Sequence, residues 1–194
     1  MKLALTPADI LPLADYEKVR PEKRGAMLEL KKQRRVSVGP YATFYFENYD
    51  TMWLQVQEML RIEKGGDEQL QDELRAYNPL LPQGNELVAT VMFEIEDPAK
   101  RKTVLASIGG VQDTIALRFD SETIKGEPEQ DLDYTSDEGK ASSVQFVHFR
   151  FSPEQIKKFR AAAEIVIAIN HVNYGHMAVV PQPVKEQLLK DFSS

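Results

Sequence analysis

The sequence predicts an α+β fold, with a ferredoxin-like βαββαβ core over residues 86–171 and an N-terminal helix, strand and helix region packed on its antiparallel sheet. Three observations predict this fold. Apolar residues alternate at a period of two over 86–96, as in a half-buried strand. Helical segments at Asp97 and Ser152 each open with a cap residue followed by proline, which indicates a duplicated unit. The resulting order of strand, helix, strand, strand, helix, strand is typical of the split βαβ arrangement.

The first residues predict a helical region followed by a bent strand. Thr6 is a cap residue before a proline, so a short helical turn begins there. A longer helix resumes at Pro21 and ends near Arg34, since its apolar positions recur at helical spacing. Alternation then continues over 36–46 and is interrupted at Gly39, which indicates a bent strand or a hairpin.

Two further helices are predicted before the core. The first covers 51–64, with caps available from Asn48 onward and a stop at Gly65. The second covers 67–77 and precedes a proline-rich loop over 78–84.

The remaining elements follow from the same two periodicities. Strands are predicted over 86–96, 114–119, 143–151, 164–171 and 176–180, and helices over 98–107 and 153–163 and after Pro183. Between Asp120 and Glu138 there are eight acids and one lysine, so residues 120–142 are expected to be a long, polar, mobile insertion. We expect one domain over 1–194, divided into an N-terminal region (1–85), the core (86–180) and a terminal helix (181–194).

Composition excludes several classes of site. The 194 residues include no cysteine, which removes disulfides, thiolate catalysis and cysteine-ligated metals. No sequence motif for a nucleotide, flavin, zinc or calcium site is present, and we expect no bound cofactor. A net charge of −6 argues against nucleic-acid binding. The absence of a signal-peptide core and of a membrane-length apolar run predicts a soluble, cytoplasmic protein with no membrane partner.

One basic segment opposes the overall charge. Between Lys18 and Arg35 there are eight cations and two acids, and the densest part contains Lys31, Lys32, Arg34 and Arg35. These cations suit the last turn of a helix, where the backbone dipole favours positive charge. The alternatives are an anionic ligand or partner, with Arg34 and Arg35 as candidate contacts, and pairing with the protein's own acidic segment.

Polar residues on and near the second helix form another candidate site. Glu58 and Arg61 are three residues apart, so they can form an ordinary surface ion pair. If the strand bearing Glu47 lies beside them, these three side chains instead form a buried polar cluster, which either binds a ligand or substrate or only stabilises the core. Two neighbouring polar side chains complete this candidate set: Asn48 and Gln57.

The three histidines, His148, His171 and His176, lie on predicted strands. His171 and His176 would face each other across a hairpin that turns near Asn173, and His148 on another strand would complete a metal site. The alternative is that each histidine is structural, since no helical metal-binding motif supports the site.

Several segments resemble a bacterial family known as the domain of unknown function 3501. The similar segments are 13–21, 31–39, Phe46-Glu47-Asn48 with Thr51, 57–61, 78–82, 86–96 and 143–155. The resemblance covers about residues 10–174 and is most specific over 31–61. It implies a genomic context with a rubrerythrin-like diiron protein and an iron–sulfur oxidoreductase subunit. Such a context suggests protein partners in peroxide defence or electron transfer.

Two functions are therefore expected from the sequence. The first is an accessory or interaction protein that serves a redox or oxidative-stress system, because the chain has no cysteine and no cofactor motif of its own. The alternative is a small-ligand-binding protein or enzyme that uses the Glu47, Glu58 and Arg61 group with or without a metal.

Overall fold

The structure is a computed structural model that describes residues 2–130 and 132–193. Its helices are α1 (Leu13–Lys32), α2 (Tyr49–Glu63), α3 (Gly66–Tyr77), α4 (Pro98–Ser107), α5 (Pro153–Ala161) and α6 (Gln182–Leu188). Its strands are β1 (Arg35–Val38), β2 (Ala42–Phe46), β3 (Glu86–Phe93), β4 (Ile115–Phe119), β5 (Glu122–Lys125), β6 (Glu127–Pro128), β7 (Val144–Arg150), β8 (Val166–His171) and β9 (Tyr174–Val179). Short 3₁₀ turns occupy Pro7–Asp9, Asn78–Leu80, Val111–Thr114 and Leu189–Asp191.

The strands form two antiparallel sheets. One has five strands in the order β1-β2-β3-β7-β6, and the other has four in the order β5-β4-β8-β9. Alternate side chains of both sheets meet in one apolar core, because strand residues point to opposite faces in turn. Val91 and Phe149 contribute from the five-stranded sheet, and Leu117 and Ile167 contribute from the other.

Helices cover the outer face of the five-stranded sheet. Met52 and Val56 of α2 and Leu74 of α3 pack with Val88 of β3 in a second apolar cluster. α1 packs on α2, and the Tyr16 and Trp53 rings meet edge to face at 5.9 Å. The helices α1, α2 and α3 therefore form a layer on the five-stranded sheet, whereas α4, α5 and α6 contribute Leu105, Phe159 and Leu188 to the core that the two sheets share.

Two features join the sheets at their edges. Gly126 lies between β5 and β6, so a single segment passes from one sheet to the other. A Cβ added at Gly126 would come within 2.6 Å of the Val147 side chain. At the opposite edge the buried Tyr174 hydroxyl donates to the Val38 carbonyl at 2.9 Å and accepts from the Tyr41 and Ala42 N–H groups. This phenol uses its one donor and both acceptor positions to link β9 to the β1–β2 turn.

The α+β class is confirmed, but the ferredoxin-like arrangement is not. A ferredoxin-like core places its four strands in one sheet, whereas here β3 pairs with β7 in one sheet and β4 pairs with β8 in the other. The order of elements was predicted, but strand order along the chain does not determine which strands pair. β1 and β2 join the same sheet as β3, so that sheet extends across the boundary expected at residue 85.

Two local expectations are wrong. α1 begins at Leu13 and continues through Pro21. Tyr16 and Met27 are buried on either side of the proline, and their packing stabilises the helix although Pro21 has no N–H to donate. The expected mobile insertion contains β5 and β6, since Ile124 alternates with polar neighbours and faces the core. Asp131, within that same segment, lies outside the described residues.

In the part of the chain that the structure describes, no helix has the length and apolar character needed to cross a membrane.

Candidate functional site

A cavity of about 230 Å³ lies between the helices and the outer face of the five-stranded sheet. We call it the Glu47 pocket. Its lining residues are Lys31, Tyr45, Glu47, Met52, Gln55, Tyr77, Leu80, Thr90, Met92, Val144 and Phe146. Most of this lining is apolar and a few polar groups converge on it, as in small-molecule sites.

The end of β2 fixes the position of Glu47. Its N–H donates to the Val88 carbonyl at 2.8 Å, which continues the β2–β3 ladder by one residue. Asn48 then accepts a hydrogen bond from the Thr51 N–H at 3.0 Å and caps α2. The change from strand to capped helix therefore holds the Glu47 backbone on both sides. Its side chain lies on the helix-covered face of the sheet, where Thr90 also lies.

The Glu47 carboxylate is incompletely paired. The residue is 6% exposed, and its Oε1 accepts from the Thr90 hydroxyl at 2.6 Å. Among the described residues, Oε2 accepts no hydrogen bond and no cationic side chain forms an ion pair with the carboxylate. Oε2 is not fully enclosed by protein atoms, so it is an acceptor that faces the cavity and is open to a donor on a ligand.

Two side chains add hydrogen-bonding groups to the pocket. The Gln55 Nε2 group donates to the Tyr77 hydroxyl at 3.3 Å. Burial raises the pKa of Tyr77, and the negative charge of Glu47 adds to the increase. Tyr77 therefore keeps its proton at neutral pH and remains a donor as well as an acceptor.

Lys31 brings a positive charge to the same pocket. It lies in the last turn of α1, is half-buried, and also lines a neighbouring cavity of about 210 Å³ with Arg24 and Glu58. Gln55 is the other residue that lines both cavities. Among the described residues, neither Lys31 nor Arg24 forms an ion pair. Both remain available to an anionic group.

Arg34 from the basic segment is a buried structural residue. Its exposure is 2%, and its guanidinium donates to the carbonyls of Phe46 at 2.9 Å, Glu47 at 3.1 Å and Gln187 at 3.2 Å. It also forms an ion pair with buried Asp191, whose pKa is raised by burial although the guanidinium opposes the increase. Arg34 thus fastens the C-terminal turn to the end of β2, whereas Arg35 is exposed on β1. Neither of these arginines lines the Glu47 pocket.

The predicted Glu47, Glu58 and Arg61 cluster does not form. Glu58 accepts from Arg20 at 2.7 and 2.9 Å and from the Tyr16 hydroxyl, and the bond from Arg20 is the main cause that lowers the pKa of Glu58 to about 2. Arg61 donates to Glu17 at 2.7 Å instead.

The other two members of that set have structural contacts. Asn48 caps α2, as described above, and the buried Gln57 lies 3.5 Å from the Leu11 carbonyl. Of the set, only Glu47 faces the pocket as a side chain without a full set of partners.

The three histidines do not come together. His148 lies in the five-stranded sheet, and the other two lie in the four-stranded sheet. In the β8–β9 pairing, His171 is opposite Tyr174 and His176 is opposite Ile169. The expectation that these two histidines lie directly opposite each other is therefore wrong. Residues 2–130 and 132–193 contain no group of three or more potential ligands arranged to hold a metal ion.

Each histidine instead has its own contacts. His171 bonds to the Gly109 carbonyl at 3.1 Å, and the His176 ring packs 4.6 Å from that of Tyr174. Buried His148 lies between two carboxylates, with Nδ1 3.1 Å from Glu86 and Nε2 2.6 Å from Glu129. Burial opposes the charged imidazole, but the two carboxylates outweigh burial and raise the pKa of His148.

The pocket includes residues that the sequence pattern did not single out. Gln55, Tyr77 and Thr90 come from α2, α3 and β3, and they meet only in the folded chain. One signal was present: Thr90 is a polar residue within the apolar run of β3.

Comparison with known proteins assigns the chain to a family. The family model described as "Protein of unknown function (DUF3501)" matches residues 4–192. The chain belongs to the DUF3501 family. A crystal structure of a protein of unknown function from Burkholderia pseudomallei K96243 is similar, with 34% sequence identity and a TM-score of 0.90, over 98% of this chain and 100% of that one. No curated protein matches this DUF3501 chain.

Proposed function

We propose that this DUF3501 protein binds a small organic ligand in the Glu47 pocket. The observation that carries the proposal is the buried Glu47 carboxylate, whose Oε2 has no partner among the described residues although it belongs to a cavity lining. A ligand with a hydrogen-bond donor or positive charge would supply a partner for this oxygen, because a carboxylate that a bound ligand shields from water needs a hydrogen-bonding or charged partner.

The remaining lining supports a small-molecule site over a purely structural void. Met52, Leu80, Met92 and Phe146 offer apolar surface, while Thr90 and Tyr77 offer hydroxyls. A cavity of about 230 Å³ is smaller than typical drug-sized pockets, which begin near ~300 Å³, so the ligand is of metabolite size.

The test is a thermal-shift screen of small metabolites against the wild-type protein, Glu47→Gln and Glu96→Gln. Glu96 is an exposed carboxylate beyond β3 and is the matched control. We expect ligands that stabilise the wild type and Glu96→Gln but not Glu47→Gln. A screen in which Glu47→Gln responds to every ligand as the wild type does would refute this assignment of the site.

The accessory role in a redox or oxidative-stress system is a second proposal. It rests on the implied genomic context and on exposed apolar side chains along the β8–β9 hairpin: Val172 in the turn is 90% exposed, and Met177 and Val179 on β9 are 65% and 53% exposed. Exposed apolar groups of this kind suit a protein partner, here a rubrerythrin-like diiron protein or an iron–sulfur oxidoreductase subunit.

Affinity purification from the native host, under mild conditions, tests this role. We expect a diiron or iron–sulfur protein to co-purify with the wild type and to be lost with Val172→Ser. Purification of the wild-type protein without a diiron protein or an iron–sulfur protein would count against the accessory role. A cytoplasmic location is part of this proposal, and fractionation of native cells tests it.

A further inference from the structure

We propose that the ligand of the Glu47 pocket is a zwitterion, with an ammonium group at Glu47 and an anionic group at Lys31. This inference rests on the ligand-binding function proposed above and names the chemical class of that ligand. It follows from two opposite charges that line one small cavity without pairing with each other.

The inner end of the pocket suits an ammonium group. An ammonium ion has three donors and no acceptor. Glu47 offers an unused carboxylate oxygen, and the Tyr77 hydroxyl can accept a second hydrogen bond. A charge-assisted bond to the carboxylate is about twice as strong as a neutral hydrogen bond. The ammonium would therefore pair with the Glu47 oxygen that has no partner among the described residues.

The outer end suits an anionic group. Glu58 is the acidic residue of the neighbouring cavity, and its carboxylate is already occupied by Arg20 and Tyr16. Lys31 and Arg24 consequently keep their positive charge available at this end. Lys31 lines both cavities, so a carboxylate or phosphate bound to it lies at the border between them.

Much of the remaining lining of the pocket is apolar. Met52, Met92, Val144 and Phe146 line the same pocket and offer no charged group. A short hydrocarbon linker between the ammonium and the anionic group matches this surface. Methionine side chains adapt their shape to different linkers, which favours a class of amino acids over a single rigid molecule.

The direct test is isothermal titration calorimetry at low salt with three probes of equal carbon number. These are ε-aminocaproate, which has both charges, hexylamine, which has only the ammonium, and hexanoate, which has only the carboxylate. We expect ε-aminocaproate to bind at least about tenfold more tightly than hexylamine, a difference in affinity that calorimetry resolves readily. We expect hexanoate to bind most weakly.

Three variants connect the affinities to the structure. Lys31→Met should reduce the affinity for ε-aminocaproate to that for hexylamine, and Glu47→Gln should weaken both amines. Lys32→Met is the matched control, because Lys32 is exposed and pairs with Glu29. It should leave all three affinities unchanged.

The outcomes separate this inference from the proposed function. Equal binding of ε-aminocaproate and hexylamine to the wild type, or equal effects of Lys31→Met and Lys32→Met, would overturn the zwitterion and leave the Glu47 site intact. If no amine binds while another ligand class binds in a Glu47-dependent manner, the zwitterion is also wrong. Failure of every ligand to depend on Glu47 would remove both proposals.

Discussion

Replacement of Arg34 by methionine should destabilise the protein far more than the same change at Arg35. Methionine keeps much of the length of the side chain but removes the guanidinium. Buried Asp191 then loses its ion-pair partner, and the Phe46, Glu47 and Gln187 carbonyls lose a donor. Removing one partner of a buried ion pair costs about 3–5 kcal/mol. The exposed Arg35 makes no such contacts, and its replacement should cost less than about 0.5 kcal/mol.

Urea unfolding followed by circular dichroism measures both free energies, and thermal unfolding gives an independent check. For a chain of this length, a loss of 3–5 kcal/mol corresponds to a decrease in melting temperature of roughly 10 °C. Asp191→Asn should cost less than Arg34→Met, because the amide oxygen can still accept from the guanidinium. Equal free energies of unfolding for Arg34→Met and Arg35→Met would show that the buried contacts of Arg34 do not stabilise the protein.

Three further changes test other contacts. The pKa of His148 is raised in the folded protein above its ordinary value of 6.5. The charged imidazole therefore stabilises the fold fully below pH 6.5, and this stabilisation is lost as the pH rises through the folded-state pKa. The free energy of unfolding of the wild type relative to His148→Phe should therefore fall between pH 6 and 9, and a constant difference would contradict it. Tyr174→Phe should cost about 1–3 kcal/mol in urea unfolding, since the buried Ala42 N–H and the partly buried Tyr41 N–H lose their acceptor. Gly126→Ala should reduce the melting temperature through its contact with Val147, whereas Gly25→Ala, which meets open space, should not.

The sequence predicted the elements well because their signals are local. Cap residues such as Asn48 and Ser152 mark helix starts through bonds to N–H groups three residues away, and the structure contains those bonds. Alternation likewise located β3, and a run with apolar residues on both faces located β7. Which strands pair could not be predicted in the same way, because pairing depends on contacts between residues far apart in the chain, such as Ala89 and Val147.

The candidate site was only partly predictable for the same reason. Glu47 was selected as a candidate, but its expected companions Glu58 and Arg61 pair with α1. Those ion pairs depend on how α1 packs on α2, which the helical periodicity alone does not specify. Arg34 was predicted to lie at a solvated helix end, but its guanidinium is buried. The C-terminal turn that contains Asp191 covers it, and the sequence pattern near Arg34 does not indicate this contact.

A crystal structure of the protein purified from its native host would show whether the Oε2 atom of Glu47 binds a ligand. We expect density for an organic molecule in the Glu47 pocket, with a donor within about 3 Å of Oε2. A structure in which the Glu47 carboxylate forms an ion pair with Lys31 and the pocket holds no organic molecule would rule out the proposed ligand site.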